Sequence, residues 1–341
     1  MSGLFEALAI LGAGRGLTED QSRLAVDAIM SGEAPESHVA AFLAGLRVKG
    51  ETADELAGAV SAVRERSTGW QPFEGMPEVL DTCGTGGDGA NTVNISTASA
   101  IVVAACGVPV AKHGNRSASG NSGSSEVLTE LGINIEADPA TLRRCLTELG
   151  ITFLFAPKFH PALRFAAPIR RQLPFRTLFN LIGPLANPTR PAYQLIGVPE
   201  ERPAELMASA LARLGVTRAA VVTGFGGLDE VSLDGPTRVR WVEGGAITLR
   251  TWAPEEFGLS VVRASDLQVS GPIESASRLR GVFDGSKGPA RDSILANAAG
   301  AILVAGRVRS LAEGVELASS AIDKGRAADL LRRWADLSQV S

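Results

Sequence analysis

Between Asp81 and Ser99 the chain reads DTCGTGGDGANTVNISTAS. Gly84, Gly86, Gly87 and Gly89 alternate with hydroxyls, amides and the carboxylate of Asp88, between two apolar runs. A strand feeding such a loop, followed by a helix, aims several backbone N–H groups at one point, with the positive end of the helix behind them. Glycine permits positive φ and lets the backbone approach an oxygen closely. Asn94, Ser96 and Thr97 would add side-chain donors at the helix start. The chemistry implied is phosphate binding. A nucleoside triphosphate is not implied, because GTGGD is neither a Walker A loop with its Lys-Ser/Thr nor a GxGxxG turn.

A second polar loop, KHGNRSASGNSGSSE from Lys112 to Glu126, carries two cations, an imidazole, two amides and several hydroxyls between a short apolar run and a helical pattern. Two such loops after consecutive strands converge at the carboxyl ends of a parallel sheet, where α/β folds bind ligands. Farther along, GLDEVS places the carboxylates of Asp229 and Glu230 side by side. Adjacent acids on a turn are ordinary when solvated. Beside a phosphate site they would repel the substrate unless a cation intervened, so they are candidate Mg²⁺ ligands. FHPALRFAAPIRRQL supplies His160, Arg164, Arg170 and Arg171, and LIGPLANP supplies Gly183 and Pro184. A guanidinium facing the same cleft could clamp a carboxylate with two parallel hydrogen bonds.

These stretches need a scaffold. Residues 1 to about 72 read as a helical bundle, with capping-box spacings at Thr18/Gln21 and Thr52/Glu55 and no strand-like alternation. Beyond TGWQPFEGMPE, apolar β-rich runs alternate with helical patterns. EVLDTC, VPVAKHG, ITFLFAP, AAVVTGF, RVRWVEG and AITLRTW supply strands. NTVNISTASAIVVAACG, DSILANAAGAILVAG and SLAEGVELASSAIDKGRAADLLRRWADL supply helices. The expectation is an α/β domain with a central, mostly parallel sheet over 73–163 and 193–341. The Arg- and Pro-rich stretch at about 164–192 reads as a helical return to the first domain.

Composition bounds the partners. At 341 residues, one large domain plus a smaller one is the natural division. A net charge of −4 argues against a general nucleic-acid binder. Cys83, Cys106 and Cys145 are few and lack a CxxC pair, so neither a disulfide framework nor a zinc site is expected. Glu6 interrupts the apolar start and no basic segment precedes it, so no signal peptide is expected. Apolar runs such as AIVVAACGVPVA fall short of the roughly 20 residues that span a bilayer. A cytoplasmic protein is expected.

Taken together, DTCGTGGD, NIST, KHGNRSASGNSGS, HPAL…IRRQLPFRTLFNLIGPLANP, GLDEVS and NAAGAILVAGRV, in this order over nearly the whole chain, resemble the anthranilate phosphoribosyltransferase family. That resemblance implies a small helical domain joined to a larger α/β domain of the nucleoside-phosphorylase type, and a homodimer formed through the helical domains. It implies transfer of a phosphoribosyl group from phosphoribosyl pyrophosphate (PRPP) to anthranilate in tryptophan biosynthesis. PRPP would lie across Gly84, Gly87, Asp88, Thr92, Asn94, Ser96, Thr97, Lys112, Ser119 and Ser124. Ser96, Asp229 and Glu230 would hold Mg²⁺, about two ions per site. Anthranilate would be held by Asn115 and Arg170, with His113, His160, Gly183 and Pro184 lining its path. Lys112, Arg170 and His113 are the candidate catalytic groups, His113 as a general base or as a structural or gating residue. The chain departs from the family pattern at Glu126 (commonly Asp), at Thr223 (often His) and in having a single His before PAL.

Three alternatives stay open at this stage: a transferase acting on another aromatic acid, a pyrimidine nucleoside phosphorylase, and a non-catalytic nucleic-acid-binding paralogue. The Asp229–Glu230 pair argues against the second, and the acidic charge balance with intact GTGGD and DE motifs against the third.

Overall fold

The computed structural model describes residues 2–116 and 122–340. The chain opens with the helices Ser2–Gly12, Glu19–Met30, Glu36–Lys49 and Ala53–Glu65. Both capping boxes form. Thr18 Oγ1 accepts the Gln21 N–H at 3.2 Å, and Gln21 Oε1 accepts the Thr18 N–H at 3.0 Å. Glu55 answers Thr52 in the same way, and its buried carboxylate also takes the Leu17 N–H and pairs with Lys49 at 3.0 Å. Each cap contributes about 1 kcal/mol by satisfying orphan donors of the first turn.

A single seven-stranded sheet forms the rest of the frame: β1 Leu80–Asp81, β2 Val110–Gly114, β3 Ile151–Phe155, β4 Tyr193–Gly197, β5 Arg218–Thr223, β6 Thr237–Glu243 and β7 Ala246–Trp252. The order is β3-β2-β1-β4-β5-β6-β7. The first five strands are parallel, whereas β6 and β7 add antiparallel at one edge, joined by the two-residue Gly244–Gly245 turn. The strand order reverses direction at β1, which pairs with β2 on one side and with β4 on the other. Loops leaving β1 and β4 therefore diverge and open a crevice at their carboxyl ends.

The parallel strands β1–β5 are buried on both faces, whereas the edge strand β7 is exposed up to Trp252, and period-two alternation divides the buried side chains between two cores. On β5, Ala220 and Val222 face one core, built with the helices Ile95–Ala105, Pro289–Val304, Leu311–Asp323 and Arg326–Ser338. Ala219 and Val221 face the other, which is continuous with the helical bundle and the helix Glu201–Arg213. The helices Ala167–Gln172 and Phe179–Leu185 of the Arg-rich stretch enter that second core through Ala166, Ile169, Leu178, Ile182 and Leu185. The bundle is thus packed directly on the sheet, and its returning helices roof the crevice.

Candidate active site

The crevice is a cleft of ≈ 610 Å³ between the carboxyl ends of the parallel strands and the returning helices. Two close approaches to glycine shape its floor. A Cβ at Gly197, the last residue of β4, would sit 1.6 Å from the Asp229 carbonyl oxygen, so the acidic turn lies directly on the end of that strand. At Gly87, φ is +86° and a Cβ would lie 2.0 Å from the Arg176 guanidinium. The Gly197 approach is to backbone and leaves no room for a side chain, while at Gly87 the positive φ is what favours glycine, since the guanidinium ends a flexible side chain.

The loop delivers Asp88 beside the acidic turn. Asp88 Oδ1 accepts the Ala90 N–H at 2.9 Å, and Oδ2 lies 3.5 Å from the Asp229 N–H. Burial, with Asp88 and Glu230 close by, holds the Asp229 carboxyl well above the usual carboxylate range. Burial likewise pushes Glu230 up to about 8, against the pull of Lys112 and of the Ser96 N–H. Glu230 Oε1 accepts that N–H at 3.1 Å, so it occupies the start of the helix Ile95–Ala105. An acceptor oxygen thus takes one of the N–H groups that the first turn of the helix leaves free.

Lys112 of β2 lies deep in the cleft, 2% exposed, with Nζ 3.2 Å from Thr82 Oγ1 and 3.4 Å from Ser96 Oγ. Its positive charge draws the carboxyls of Asp81 and Glu230 down, but burial outweighs it and leaves Asp81 at about 6 and Glu230 at about 8. Asp81 accepts the His113 N–H and the Asn187 amide, which couples the carboxyl end of β2 to the returning segment.

On the opposite wall, Arg170 stacks over Phe179 at 5.6 Å, and burial lowers its pKa. Among the described residues it has no acidic partner. A half-buried guanidinium on an aromatic face, open to a cleft, suits a planar carboxylate. Beside it His113 and His160 meet edge to face at 5.3 Å. Burial pushes His113 down to about 3 and His160 to about 4, so both rings are neutral near pH 7. His113 Nδ1 lies 3.1 Å from the Gly183 carbonyl, which assigns the ring proton to that nitrogen. With that proton engaged and so low a pKa, His113 is a weak proton acceptor; its geometry is that of a wall residue.

Gly84, Gly87, Asp88, Thr92, Asn94, Ser96, Lys112, His113, Asn115, Ser124, His160, Arg170, Gly183, Pro184, Asp229 and Glu230 all line this one cleft. Thr97 does not. One residue past Ser96, the helix turns it inward to 1% exposure with its hydroxyl unpartnered, so the expected side-chain donor is not presented. Ser119 lies outside the described residues. Asn94 is already engaged: its Oδ1 accepts the hydroxyls of Ser122 and Ser275 at 2.7 and 2.8 Å. The departures at Glu126 and Thr223 lie outside the cleft lining.

Two residues escape the sequence reading. Ser275 reaches the site from the helix Pro272–Phe283. Arg176 crosses from the returning segment to the Gly86 carbonyl at 3.3 Å. A lone arginine between apolar residues, as in PFRTLFN, is the signal that could have marked it.

For Mg²⁺ the donor set is partial, as that ion prefers: among the described residues no three His, Cys, Asp or Glu groups converge as a metal cage. Mg²⁺ commonly takes one or two carboxylates and completes its shell with water and substrate phosphate. Ser96 Oγ with two desolvated, mutually repelling acids fits that description.

The sequence and fold agree with known proteins. Residues 76–328 match the profile described as glycosyl transferase family, a/b domain, and residues 5–67 match its helical bundle domain. The chain is 48% identical to anthranilate phosphoribosyltransferase of Thermomicrobium roseum, covering 96% of this chain and 95% of that protein. The crystal structure of anthranilate phosphoribosyltransferase from Thermus thermophilus superposes with a TM-score of 0.91 at 39% identity, covering 100% of both chains. The Saccharomyces cerevisiae enzyme in complex with PRPP and Mg superposes with a TM-score of 0.89 at 29% identity, over 99% of this chain and 98% of that one. With two domain profiles in order and end-to-end similarity in sequence and structure, the chain belongs to the anthranilate phosphoribosyltransferase family.

Proposed function

We propose that the chain transfers the 5-phosphoribosyl group of PRPP to the amine of anthranilate, giving N-(5-phosphoribosyl)anthranilate and pyrophosphate, with the cleft residues dividing the work as follows. The observation that carries this reading is the convergence of Asp88, Lys112, Asp229 and Arg170 in one cleft. The glycine loop, Asn94, Ser96, Lys112 and Ser124 face the diphosphorylated sugar. Arg170, with Asn115, His160, Gly183 and Pro184, faces the aromatic acid.

Displacing pyrophosphate from the anomeric carbon leaves negative charge on the departing group. Mg²⁺, held by Ser96, Asp229 and Glu230, supplies charge stabilisation there when bound. Lys112 and the loop N–H groups point at the same charge without needing to reorganise. A helix end contributes only about 0.3–1 kcal/mol, whereas losing one preorganised donor elsewhere costs about 3 kcal/mol. Several donors must therefore share the task. The anthranilate amine is neutral and needs aiming rather than deprotonation. Arg170, by fixing the carboxylate, aims the ortho amine at the ribose. His113, with its depressed pKa, packs the acceptor wall.

The bundle (1–72 with 164–192) and the α/β domain (73–163 and 193–341) supply the two walls of the cleft. A homodimer through the bundle is part of the proposal, supported by Phe5, Leu24 and Val48, large apolar side chains exposed on its helices. So is a cytoplasmic location; no helix among the described residues is long and apolar enough to cross a membrane. Incubation with PRPP, Mg²⁺ and anthranilate, with other aminobenzoates in parallel, tests the activity. Loss of anthranilate fluorescence is expected. Consumption of another aminobenzoate alone, or metal-free phosphorolysis of thymidine or uridine, would overturn it.

A further inference from the structure

The helix Phe179–Leu185 ends in the wall of the cleft, and its last carbonyls would be orphaned there. Pro184 lies inside the helix and has no N–H to offer an earlier carbonyl. The Ala186 N–H reaches the Gly183 oxygen at 3.3 Å, and side chains from three separate parts of the chain bond that carbonyl and the next two. His113 of β2 bonds the Gly183 oxygen at 3.1 Å. Gln194 of β4 donates to the Pro184 oxygen at 3.0 Å, and Arg64 of the bundle donates through Nε to the Leu185 oxygen at 2.8 Å. Two residues on, Asn187 donates to Asp81 Oδ2 and to the Ala111 oxygen, both at 2.8 Å, while its own oxygen accepts from Thr189.

Gln194 and Asn187 are fully buried, so leaving the Pro184 carbonyl or the Asn187 amide unpaired would be costly; the Gln194 Oε1 itself has no partner among the described residues. Arg64 makes no ion pair among the described residues. Burial and the charge of Arg190 lower its pKa to about 10, which leaves it cationic at neutral pH against the negative end of a helix. Neither Arg64 nor Gln194 lines the catalytic cleft. The segment they hold does: Phe179, Ile182, Gly183, Pro184 and Ala186 are all part of its lining, and Phe179 carries the stacked Arg170.

We propose that Arg64 and Gln194 are positioning residues for the acceptor subsite, fixing the Leu185 and Pro184 carbonyls so that Gly183, Pro184 and the Phe179–Arg170 stack meet the aromatic acid in a set orientation. This inference rests on the reading of that wall as the acceptor side. Because the two donors come from the bundle and from the central sheet, the acceptor wall is tied to both walls of the cleft. The phosphate side has its own supports, in Glu230, Thr82 and Ser275, and does not depend on these bonds.

The test is steady-state kinetics in both substrates for the wild type, Arg64→Met, Arg64→Lys and Gln194→Met, with thermal unfolding alongside. Losing one such bond is expected to raise the anthranilate KM about tenfold in Arg64→Met and in Gln194→Met, while the PRPP KM stays within about twofold. Arg64→Lys, which keeps a donor and the charge, is expected to recover most of the loss. Should Arg64→Met fail to fold, Gln194→Met and Arg64→Lys still carry the comparison. Parallel changes in both KM values, unchanged kinetics in the folded variants, or an Arg64→Lys as impaired as Arg64→Met would overturn the positioning role alone. No turnover of anthranilate by the wild type would overturn the acceptor-site reading and this inference with it.

Discussion

Glu230 accepts the Ser96 N–H at 3.1 Å, although 134 residues separate them. The bond joins the acidic turn after β5 to the helix that follows the glycine loop. It places a candidate metal ligand and a candidate phosphate donor in one unit. Replacing Glu230 by Gln keeps an acceptor for the N–H but removes the charge. The expected result is a fall in kcat of about 10²-fold, partly restored by raising Mg²⁺. A Mg²⁺ titration of initial rates checks it; wild-type rates at low Mg²⁺ would count against the assignment.

Arg170 stands in the cleft without an acidic partner among the described residues, which is the ground for proposing that it meets the acceptor. Arg170→Ala is expected to raise the anthranilate KM about 10- to 100-fold, the range for losing a hydrogen bond to a charged group. PRPP binding should change by less than about twofold. Calorimetry of each substrate separately checks the division, and equal losses for both would refute it.

Gly197→Ala probes the floor. Its Cβ would fall 1.6 Å from the Asp229 carbonyl oxygen, a backbone atom with no side-chain freedom to yield. Either β4 or the acidic turn must shift. The expected outcome is at least about a 10²-fold loss in kcat/KM for PRPP, since displacements of this size disrupt catalytic alignment. Circular dichroism and kinetics on the same sample decide it; an active variant with wild-type melting would be inconsistent with the close approach.

Much of this site is legible because its chemistry is written in short local strings. The glycine loop, the Lys112 loop and the acidic turn each lie in one unbroken run, Asp81–Ser99, Lys112–Glu126 and Gly227–Ser232, and strand-loop-helix alternation brings them to one sheet edge. Both capping boxes are legible for the same reason: their partners are three residues apart. Thr97 misleads because its facing depends on the helix starting at Ile95, and one residue of phase turns a side chain by about 100°. The strand Tyr193–Gly197 escapes notice because a short strand buried on both faces shows no alternation, and here it follows a proline-rich run. Ser275, Arg176 and Arg64 act on residues 181, 90 and 121 positions away, contacts that only the assembled fold specifies.

The histidine pair makes a prediction about acid. His113 and His160 have folded pKa values pushed down to about 3 and about 4 by burial. Unfolding exposes them, and the unfolded chain then binds protons below about pH 6.5 that the native state refuses. Their contribution to stability is therefore full above that pH and declines as pH falls. At pH 5, His160→Phe should narrow the stability lost relative to pH 7.5 by about 2 kcal/mol compared with the wild type. Urea unfolding at both pH values measures the difference. An identical pH dependence in the variant would contradict the neutral, buried pair.

The central claim is that the acidic turn and the glycine loop grip a diphosphorylated sugar through a divalent ion. Calorimetric titration of PRPP, with and without Mg²⁺, into the wild type and into Asp229→Asn/Glu230→Gln tests it most directly. Mg²⁺ is expected to tighten PRPP binding at least about tenfold in the wild type and to leave the double variant unaffected. Metal-independent binding by the wild type, or a Mg²⁺ effect that survives the double substitution, would contradict it.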